Sequence, residues 1–296
     1  MVLVIGIQLL PQLVHVDPHG RIHRNIEIIA PADVIDGFPQ ALPFPLTKAQ
    51  RRCIQEIEAD FRAGTPPMSR LLQGEVGSGK TVVALSALLS VAAAGYQGAM
   101  MVPTEVLAEQ HFQSIGNLLS GLARPVQEPH LLSVYLEHMD RPVSIGLLTG
   151  SSRAPVKREL TKMAADGTLD ILVGTQALIQ EGISLPRLAL AVADEQHRFG
   201  VAQRSALRQR GKESPHALLM SATPIPRTLY LSLSGIRDMS LIRTPPRDRM
   251  PIFTNVLPWT DQLLSEALHR ELDRGGQTFF LHNRVDTIYT VAEDVR

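Results

Sequence analysis

Short apolar runs and longer amphipathic segments follow each other in a regular order along most of this chain. From about residue 41, apolar runs typical of buried strands occur at RLLQG, GAMMVP, VSIGLL, DILVG, LALAVA and HALLMSA. Helices are predicted between the earlier runs, at 80–94, 105–119 and 155–165. Because strands that alternate with helices require crossover connections, the pattern predicts an α/β fold with a parallel sheet and helices on both faces.

Two stretches depart from this alternation. Residues 121–141 predict a long connection, and the proline- and arginine-rich segment 243–251 predicts a linker. After the linker, a strand at IFTNVL, a helix at 260–274, a strand at QTFFLH and a helix that starts near Val285 indicate a new unit. We therefore predict an N-terminal remnant without clear pattern (1–40), a main α/β domain (41–240) and the start of a second domain (241–296).

Composition narrows the functional classes. The 296 residues are 44% hydrophobic with a formal net charge of zero, which argues against a diffusely basic nucleic-acid coat but not against a local patch. Aromatic residues, at 4%, are too few to favour base-stacking platforms. The single cysteine, Cys53, excludes an intramolecular disulfide, suits a reducing cytoplasm and is expected to fill a buried site on a helix. No apolar stretch is long enough to cross a bilayer.

The motif GEVGSGKT follows one predicted strand and opens a helix, as a phosphate-binding loop does. Gly74, Gly77 and Gly79 allow the backbone to turn its N–H groups toward phosphate oxygens, and the helix start adds positive partial charge. Lys80 supplies a cation for the terminal phosphates, and the Thr81 hydroxyl is placed to ligate Mg²⁺. The residues predicted to bind a nucleotide through this loop are Gly74, Glu75, Val76, Gly77, Ser78, Gly79, Lys80 and Thr81.

A second apolar run ends in Asp-Glu-Gln-His. Beside a phosphate-binding loop, Asp194 is predicted to hold Mg²⁺ through its hydration shell, and Glu195 to orient and polarise the attacking water. The predicted catalytic residues are therefore Glu195, Asp194 and Lys80. Gln196 and His197 are placed to sense the terminal phosphate, and SATPIPRT is either the segment that receives this signal or an ordinary strand-to-helix turn.

Taken together, these motifs resemble those of superfamily 2 helicases and translocases. LPFPLTKAQ resembles the adenine-recognising segment, with Gln50 as the amide that contacts adenine, and VPTEVLAEQ resembles motif Ia. GEVGSGKT, DEQH and SATPIPRT resemble motifs I, II and III. The resemblance implies a RecA-like P-loop domain followed by the start of a second RecA-like domain, ATP and Mg²⁺ as cofactors, and ATP hydrolysis coupled to DNA.

Two related families share the resemblance. PFPLTKAQRRCIQEIEADF and DEQHRFGVAQRSALRQRG resemble the RecG-type branched-DNA helicases, whereas SGIRDMSLIRTPPRDRMPIFTNV and RGGQTFFLHNRVDTIYTVAE resemble the transcription-repair coupling factor. The chain is interpreted as a mosaic, a divergent member or a join between two genes. The expected function is an ATP-dependent helicase or translocase on branched or stalled-fork DNA in recombination and repair. The alternatives are a coupling translocase on duplex DNA, with RNA polymerase as partner, and a nucleotide-binding module made inactive by truncation.

The resemblance also implies what the chain lacks and where it contacts DNA. The arginine motifs of a second RecA-like domain are missing, so weak hydrolysis is expected from this chain alone. The residues expected to contact the DNA backbone, which otherwise read as ordinary caps and turns, are Pro103, Thr104, Glu105, Thr149, Gly150, Gly174 and Thr175. The basic run after motif II, which is either a solvated helix face or a phosphate-facing surface, comprises Arg198, Arg204, Arg208, Arg210 and Lys212.

Overall fold

The structure is a computed structural model of the whole chain. It describes residues 15–16, 22–23, 26–30, 37–40, 42–64, 66–120, 126–135, 141–179, 182–194, 215–222, 238–243, 256–258 and 260–294.

Eleven strands and six α-helices are present in these residues. The strands are β1 (His15–Val16), β2 (Ile22–His23), β3 (Ser69–Gly74), β4 (Gln97–Met101), β5 (Val126–Gln127), β6 (Leu131–Val134), β7 (Val143–Leu148), β8 (Ile171–Gly174), β9 (Leu188–Ala193), β10 (His216–Ser221) and β11 (Asp238–Ile242). The helices are α1 (Lys48–Ala63), α2 (Lys80–Ala93), α3 (Glu105–Leu119), α4 (Ala154–Asp166), α5 (Asp261–Asp273) and α6 (Ile288–Asp294). A short 3₁₀-helix spans Gln176–Ile179.

The described strands form one large sheet and one small hairpin. The large sheet has nine strands in the order β11-β3-β10-β9-β4-β8-β7-β6-β5, and all pairs from β11 to β7 are parallel. At the far edge, β6 is antiparallel to β7, and β5 is antiparallel to β6. The predicted α/β fold with a mostly parallel sheet is therefore confirmed.

Burial on both faces explains the continuous apolar strands. Every residue of β9 and β10 is buried, and α2 is buried along almost its whole length. The apolar side chains form two clusters, of which the larger contains residues of α1, α2 and α3 and the smaller contains residues of α4. A strand covered on both faces needs apolar side chains in both directions, which is the pattern of LALAVA and HALLMS.

Residues before position 41 contribute to this core. Ile26, Ile28 and Phe38 are buried in the larger cluster. The ring of His216 in β10 accepts a hydrogen bond from the Met68 N–H at 2.9 Å through Nδ1, and Nε2 donates to the Ile26 carbonyl at 2.7 Å. Part of the segment predicted as a remnant therefore packs with the main domain, although the boundaries predicted at 41 and 241 stay predictions.

Helix α1 is fixed against the edge of the sheet at β11. Arg70 of β3 donates to Asp60 of α1 at 2.8 Å and to the Ser240 hydroxyl of β11 at 3.0 Å. Cys53 is fully buried on α1, as predicted, and burial raises the pKa of its thiol. The start of α1 is closed by a capping box between Thr47 and Gln50, which fixes the entry of the helix.

Two predictions of local structure are wrong. The segment 121–141, predicted as a connection, contains β5 and β6, which extend the sheet by two short antiparallel strands. The segment 276–282, predicted to contain the strand QTFFLH, has no strand, and Phe279 and Leu281 are 93% and 89% exposed. A strand needs a neighbour to take up its backbone hydrogen bonds, and the described residues supply none for this segment.

The chain divides into two compact units, Met1–Asp248 and Arg249–Arg296. The second unit contains α5, which Thr260 caps by accepting from the Leu263 N–H, and α6. Its helices match the predicted segments closely, with α6 beginning three residues after Val285.

Within the described residues, no helix combines the length and the apolar character needed to span a bilayer.

Candidate functional site

The glycine-rich loop joins β3 to α2, as predicted from its sequence context. Gly77 and Gly79 have φ values of 77° and 83°, in the left-handed region that favours glycine. Gly79 is also restricted by space, because a Cβ atom there would lie 2.2 Å from Nε2 of Gln50. At Gly74, a Cβ atom would lie 2.5 Å from the Ser78 hydroxyl. The loop therefore needs glycine for its conformation and for close packing.

Lys80 and Gln50 are both held against this loop. Lys80 Nζ donates to the carbonyls of Gly74 and Glu75 at 2.7 and 3.0 Å. Gln50 Nε2 donates to the Ser78 carbonyl at 2.9 Å, while its Oε1 accepts from the Thr47 N–H at 2.8 Å. Both ends of the Gln50 carboxamide are thus committed within the protein, so Gln50 ties the start of α1 to the loop.

The remaining loop residues fit a site that acts through its backbone. Glu75 and Val76 are exposed, with the Val76 side chain directed away from any apolar contact at 73% exposure. The Ser78 hydroxyl is buried and has no hydrogen-bond partner among the described residues. Thr81 is half-buried in the first turn of α2, where backbone N–H groups have no partners within the helix. These features suit an anion bound by N–H groups and a hydroxyl beside it.

Asp194 follows β9 directly and is buried at 8% exposure. Its N–H donates to the Met101 carbonyl of β4 at 3.0 Å. In the sheet, β10 is the only strand between β3 and β9, so two strand spacings of about 4.8 Å separate the loop strand from the Asp194 strand. The carboxylate and the loop therefore lie at the same carboxyl edge of the sheet, about 10 Å apart by this spacing, which a water-coordinated cation with phosphate oxygens can bridge.

A histidine that sequence reasoning missed contacts this carboxylate. Nε2 of His111 in α3 lies 2.8 Å from Oδ2 of Asp194, and both side chains are almost enclosed. The signal was present in the helical pattern, because Ala108, Phe112 and Ile115 mark the buried face of α3, and His111 lies on that face. A polar side chain on an apolar helix face requires a partner, and here that partner is the candidate metal ligand.

Several predicted residues lie outside the described residues. They are Glu195, Gln196 and His197 of the motif after Asp194, residues 223–228 of SATPIPRT, and the basic residues Arg198, Arg204, Arg208, Arg210 and Lys212. Their predicted roles stay predictions.

No group of three or more His, Cys, Asp or Glu side chains in the described part of the chain is arranged to hold a metal ion. A cation at this edge would therefore depend on phosphate oxygens and water for most of its ligands, as Mg²⁺ at nucleotide sites does.

The other candidate residues follow three neighbouring strands. Thr104, Thr149 and Thr175 come after β4, β7 and β8, which are adjacent in the order β4-β8-β7. We call this part of the edge, residues 103–105, 149–151 and 174–175, the threonine half. We call the loop 74–81 with Asp194 the phosphate-loop half. The β9–β4 pair is the boundary between the two halves.

Within the threonine half, Glu105 joins two of the three strand ends. Its carboxylate accepts from the Ser151 N–H at 2.9 Å and from the Ser151 hydroxyl at 2.6 Å. These bonds, with a further one from the Gly150 backbone, lower the pKa of Glu105 below its ordinary value. Thr104 caps α3 by accepting from the Leu107 N–H, and Pro103 precedes it half-buried. The carboxylate shows that donors at the start of the turn before α4 can bind an anion.

Gly174 and Thr175 are fixed by backbone contacts between strands. A Cβ atom at Gly174 would lie 1.9 Å from the Leu148 carbonyl oxygen. The Thr175 N–H donates to that same carbonyl, and its hydroxyl accepts from the Ala177 N–H. The Thr149 hydroxyl lies within 3.3 Å of the hydroxyls of Ser151 and Ser152. All seven residues predicted to contact nucleic acid are therefore brought to one edge, and several are already engaged in local bonds.

Comparison with known proteins places these features in a family. Residues 47–231 match the DEAD/DEAH box helicase family. Over 250 residues the chain is 44% identical to the ATP-dependent DNA helicase RecG of Streptococcus pneumoniae, covering 81% of this chain and 33% of that protein. It is 37% identical to the transcription-repair-coupling factor of Myxococcus xanthus over 96% of this chain and 22% of that protein.

A solved structure agrees with this relationship. The structure of RecG bound to a three-way DNA junction matches with a TM-score of 0.72 and 33% identity, covering 92% of this chain and 34% of that one. The chain thus spans about a third or less of the length of the relatives that it resembles.

Proposed function

Because this chain belongs to the DEAD/DEAH box helicase family, we propose that it contains the ATP-binding motor domain of a DNA helicase or translocase that acts on branched or stalled-fork DNA. The observation that carries the proposal is the shared carboxyl edge of β3 and β9, where the phosphate loop and Asp194 converge. Ligands of parallel α/β sheets bind at this edge.

The proposed chemistry assigns each residue a task. Mg²⁺, when bound with ATP, neutralises the charge that develops on the transferred phosphoryl oxygens. The loop N–H groups from Gly74 to Thr81 bind the phosphates, and Lys80 places a cation beside them. Gln50 keeps the loop curved through its bond to Ser78 and is positioned near the base-binding side of the site.

The acidic residues complete the site. The Thr81 hydroxyl and Asp194 hold the cation, Asp194 through water. Glu195 takes the proton of the attacking water, and His197 responds to loss of the terminal phosphate. These assignments follow from residue type and position in the motif.

DNA is the proposed polymer substrate, with recombination and repair as the setting. RecG of Streptococcus pneumoniae is named a DNA helicase, and the similar solved structure is described as bound to a DNA junction. The small hydroxyls and turn N–H groups of the threonine half suit phosphate oxygens, which a motor contacts regardless of base sequence. Such a substrate, together with a single buried cysteine, supports the reducing cytoplasm as the site of action.

The test is ATP hydrolysis by the full chain with forked DNA, linear duplex DNA, single-stranded DNA and no DNA. The proposal expects hydrolysis that rises most with forked DNA and falls at least about 100-fold in Lys80→Ala, because the charge beside the transferred phosphoryl group is lost. ATP binding without hydrolysis, unchanged by Glu195→Gln, would instead support a nucleotide-binding module. Absence of ATP binding would refute both.

A second function is favoured by the extent of one match. The similarity to the transcription-repair-coupling factor covers 96% of this chain, including the unit after Asp248. This supports a translocase on duplex DNA that acts on stalled RNA polymerase. Equal stimulation of hydrolysis by duplex and forked DNA, with displacement of a third strand from a duplex, would favour this function over fork-specific activity.

A further inference from the structure

We propose that His111 is a positioning residue that fixes Asp194 for the cation and connects the threonine half to the phosphate-loop half through α3. This rests on the proposed function, since it takes Asp194 to be the metal-holding carboxylate. It adds a residue outside every motif assignment made from the sequence.

The contact itself is specific. His111 Nε2 and Asp194 Oδ2 are 2.8 Å apart, and the two side chains are 11% and 12% exposed. A carboxylate can only accept, so Nε2 carries the hydrogen and donates it. The Asp194 N–H is bound to the Met101 carbonyl in addition. Asp194 is therefore restrained at both its backbone and its side chain, which limits the directions in which its carboxylate can face a cation.

The position of His111 on α3 gives the contact its second role. The helix begins at Glu105, whose carboxylate binds Ser151, and its N-cap is Thr104. His111 is six residues further along, which is about 9 Å along a rigid helix axis. A displacement at the start of α3 is therefore transmitted to the imidazole, because the helix moves as one body.

This arrangement predicts linkage between two ligands. A phosphate backbone that contacts Thr104 or displaces Glu105 would move α3, and α3 would move the hydrogen-bond donor of Asp194. If polymer binding changes cation-dependent nucleotide affinity by some factor, nucleotide must change polymer affinity by the same factor. His111 is the contact in the described residues that joins α3 directly to Asp194.

Three substitutions separate the hydrogen bond from packing. His111→Leu keeps volume and removes the donor. His111→Asn keeps a polar amide whose donor falls short of the carboxylate. His111→Gln places an amide N–H close to the position of Nε2. Loss of a hydrogen bond to a metal-holding group commonly weakens metal affinity about 10- to 100-fold, so the first two variants should show this loss and the third should recover most of it.

The measurement is equilibrium binding of fluorescent ADP to the full chain over a range of Mg²⁺ concentrations, with and without forked DNA. His111→Leu and His111→Asn are expected to need about 10- to 100-fold more Mg²⁺ for half-maximal binding, with binding in excess EDTA unchanged. The effect of DNA on ADP affinity should disappear in both. The matched control is His130→Leu, which removes another histidine–carboxylate contact, the one to Glu159 at 3.4 Å, and should leave the Mg²⁺ requirement as in the unaltered chain.

The outcomes are distinguishable. If the unaltered chain binds no ADP at any Mg²⁺ concentration, the proposed function fails and this inference fails with it. If the unaltered chain binds ADP but His111→Leu and His111→Asn keep its Mg²⁺ requirement, only the role of His111 is overturned. A Gln variant as defective as the Leu variant, with thermal unfolding unchanged, overturns the hydrogen-bond explanation as well. Should the Leu variant fail to fold, the comparison of Asn with Gln decides.

Discussion

Replacement of Gly174 by alanine should destabilise the first unit because its new Cβ atom would meet backbone. That atom would lie 1.9 Å from the Leu148 carbonyl oxygen, whereas Cβ atoms essentially never approach a heavy atom within 3.0 Å. The ends of β7 and β8 would therefore have to separate by more than about 1 Å, which is the difference between these distances. The Thr175 N–H bond to the same carbonyl, 3.3 Å long, would be lost. Overpacking of about 1–3 kcal/mol and one hydrogen bond of about 1 kcal/mol give a loss of about 2–4 kcal/mol.

The assay is urea unfolding followed by far-ultraviolet circular dichroism, with Gly146→Ala as a matched control. At Gly146, a Cβ atom would meet the ends of Leu160 and Leu169 side chains at 2.8 and 3.1 Å, and these can change rotamer. The control should therefore lose clearly less stability than Gly174→Ala. A loss below about 1 kcal/mol for Gly174→Ala, or a loss no greater than that of the control, would refute the backbone argument. It would then remain open to explain this glycine by contact with DNA alone.

Three further predictions concern other contacts of the first unit. The carboxyl of Glu105 has a lowered pKa because Ser151 donates to it, so its contribution to stability is complete above the ordinary glutamate pKa and is lost as pH falls through the lower folded value; Ser151→Ala should raise that pKa in an NMR titration. Gln50→Leu removes the donor to the Ser78 carbonyl and should weaken ADP binding about 5- to 10-fold, as the loss of about 1 kcal/mol of loop order implies; calorimetry with unchanged affinity would contradict this. His216→Phe leaves two buried backbone groups unpaired and should cost about 2–4 kcal/mol, measured as a lower thermal midpoint, and an unchanged midpoint would show that water replaces the imidazole.

Elements with a single strong periodicity could be predicted to within a residue. Helix α3 begins and ends at the predicted residues, and β7 and β9 coincide with their apolar runs. The edge strands were missed because little in the chain marks them. Strand β5 has two residues, and β11 reads DMSLI, in which polar and apolar residues follow the demands of an edge rather than of a buried strand.

The candidate site was predictable where chemistry is encoded in one segment. The loop from Gly74 to Thr81 is of this kind, because its residue types and its place between strand and helix are both visible in the sequence. The pairing of His111 with Asp194 joins residues that are 83 positions apart, so it depends on how α3 lies across β9. Periodicity could have marked His111 as a polar residue on a buried face, but only the folded chain identifies its partner.

The order of strands at the carboxyl edge has a consequence for how such a chain can diversify. Strands β3, β10 and β9 end beside the nucleotide, while β4, β8 and β7 end at the surface proposed for nucleic acid. Along the chain these six strands are interleaved, so neither surface is a continuous cassette that recombination could exchange as one piece. Point substitutions at the ends of β7 and β8 could nevertheless adapt the grip to another polymer and leave the fuel-burning side intact, which makes retargeting accessible through single steps.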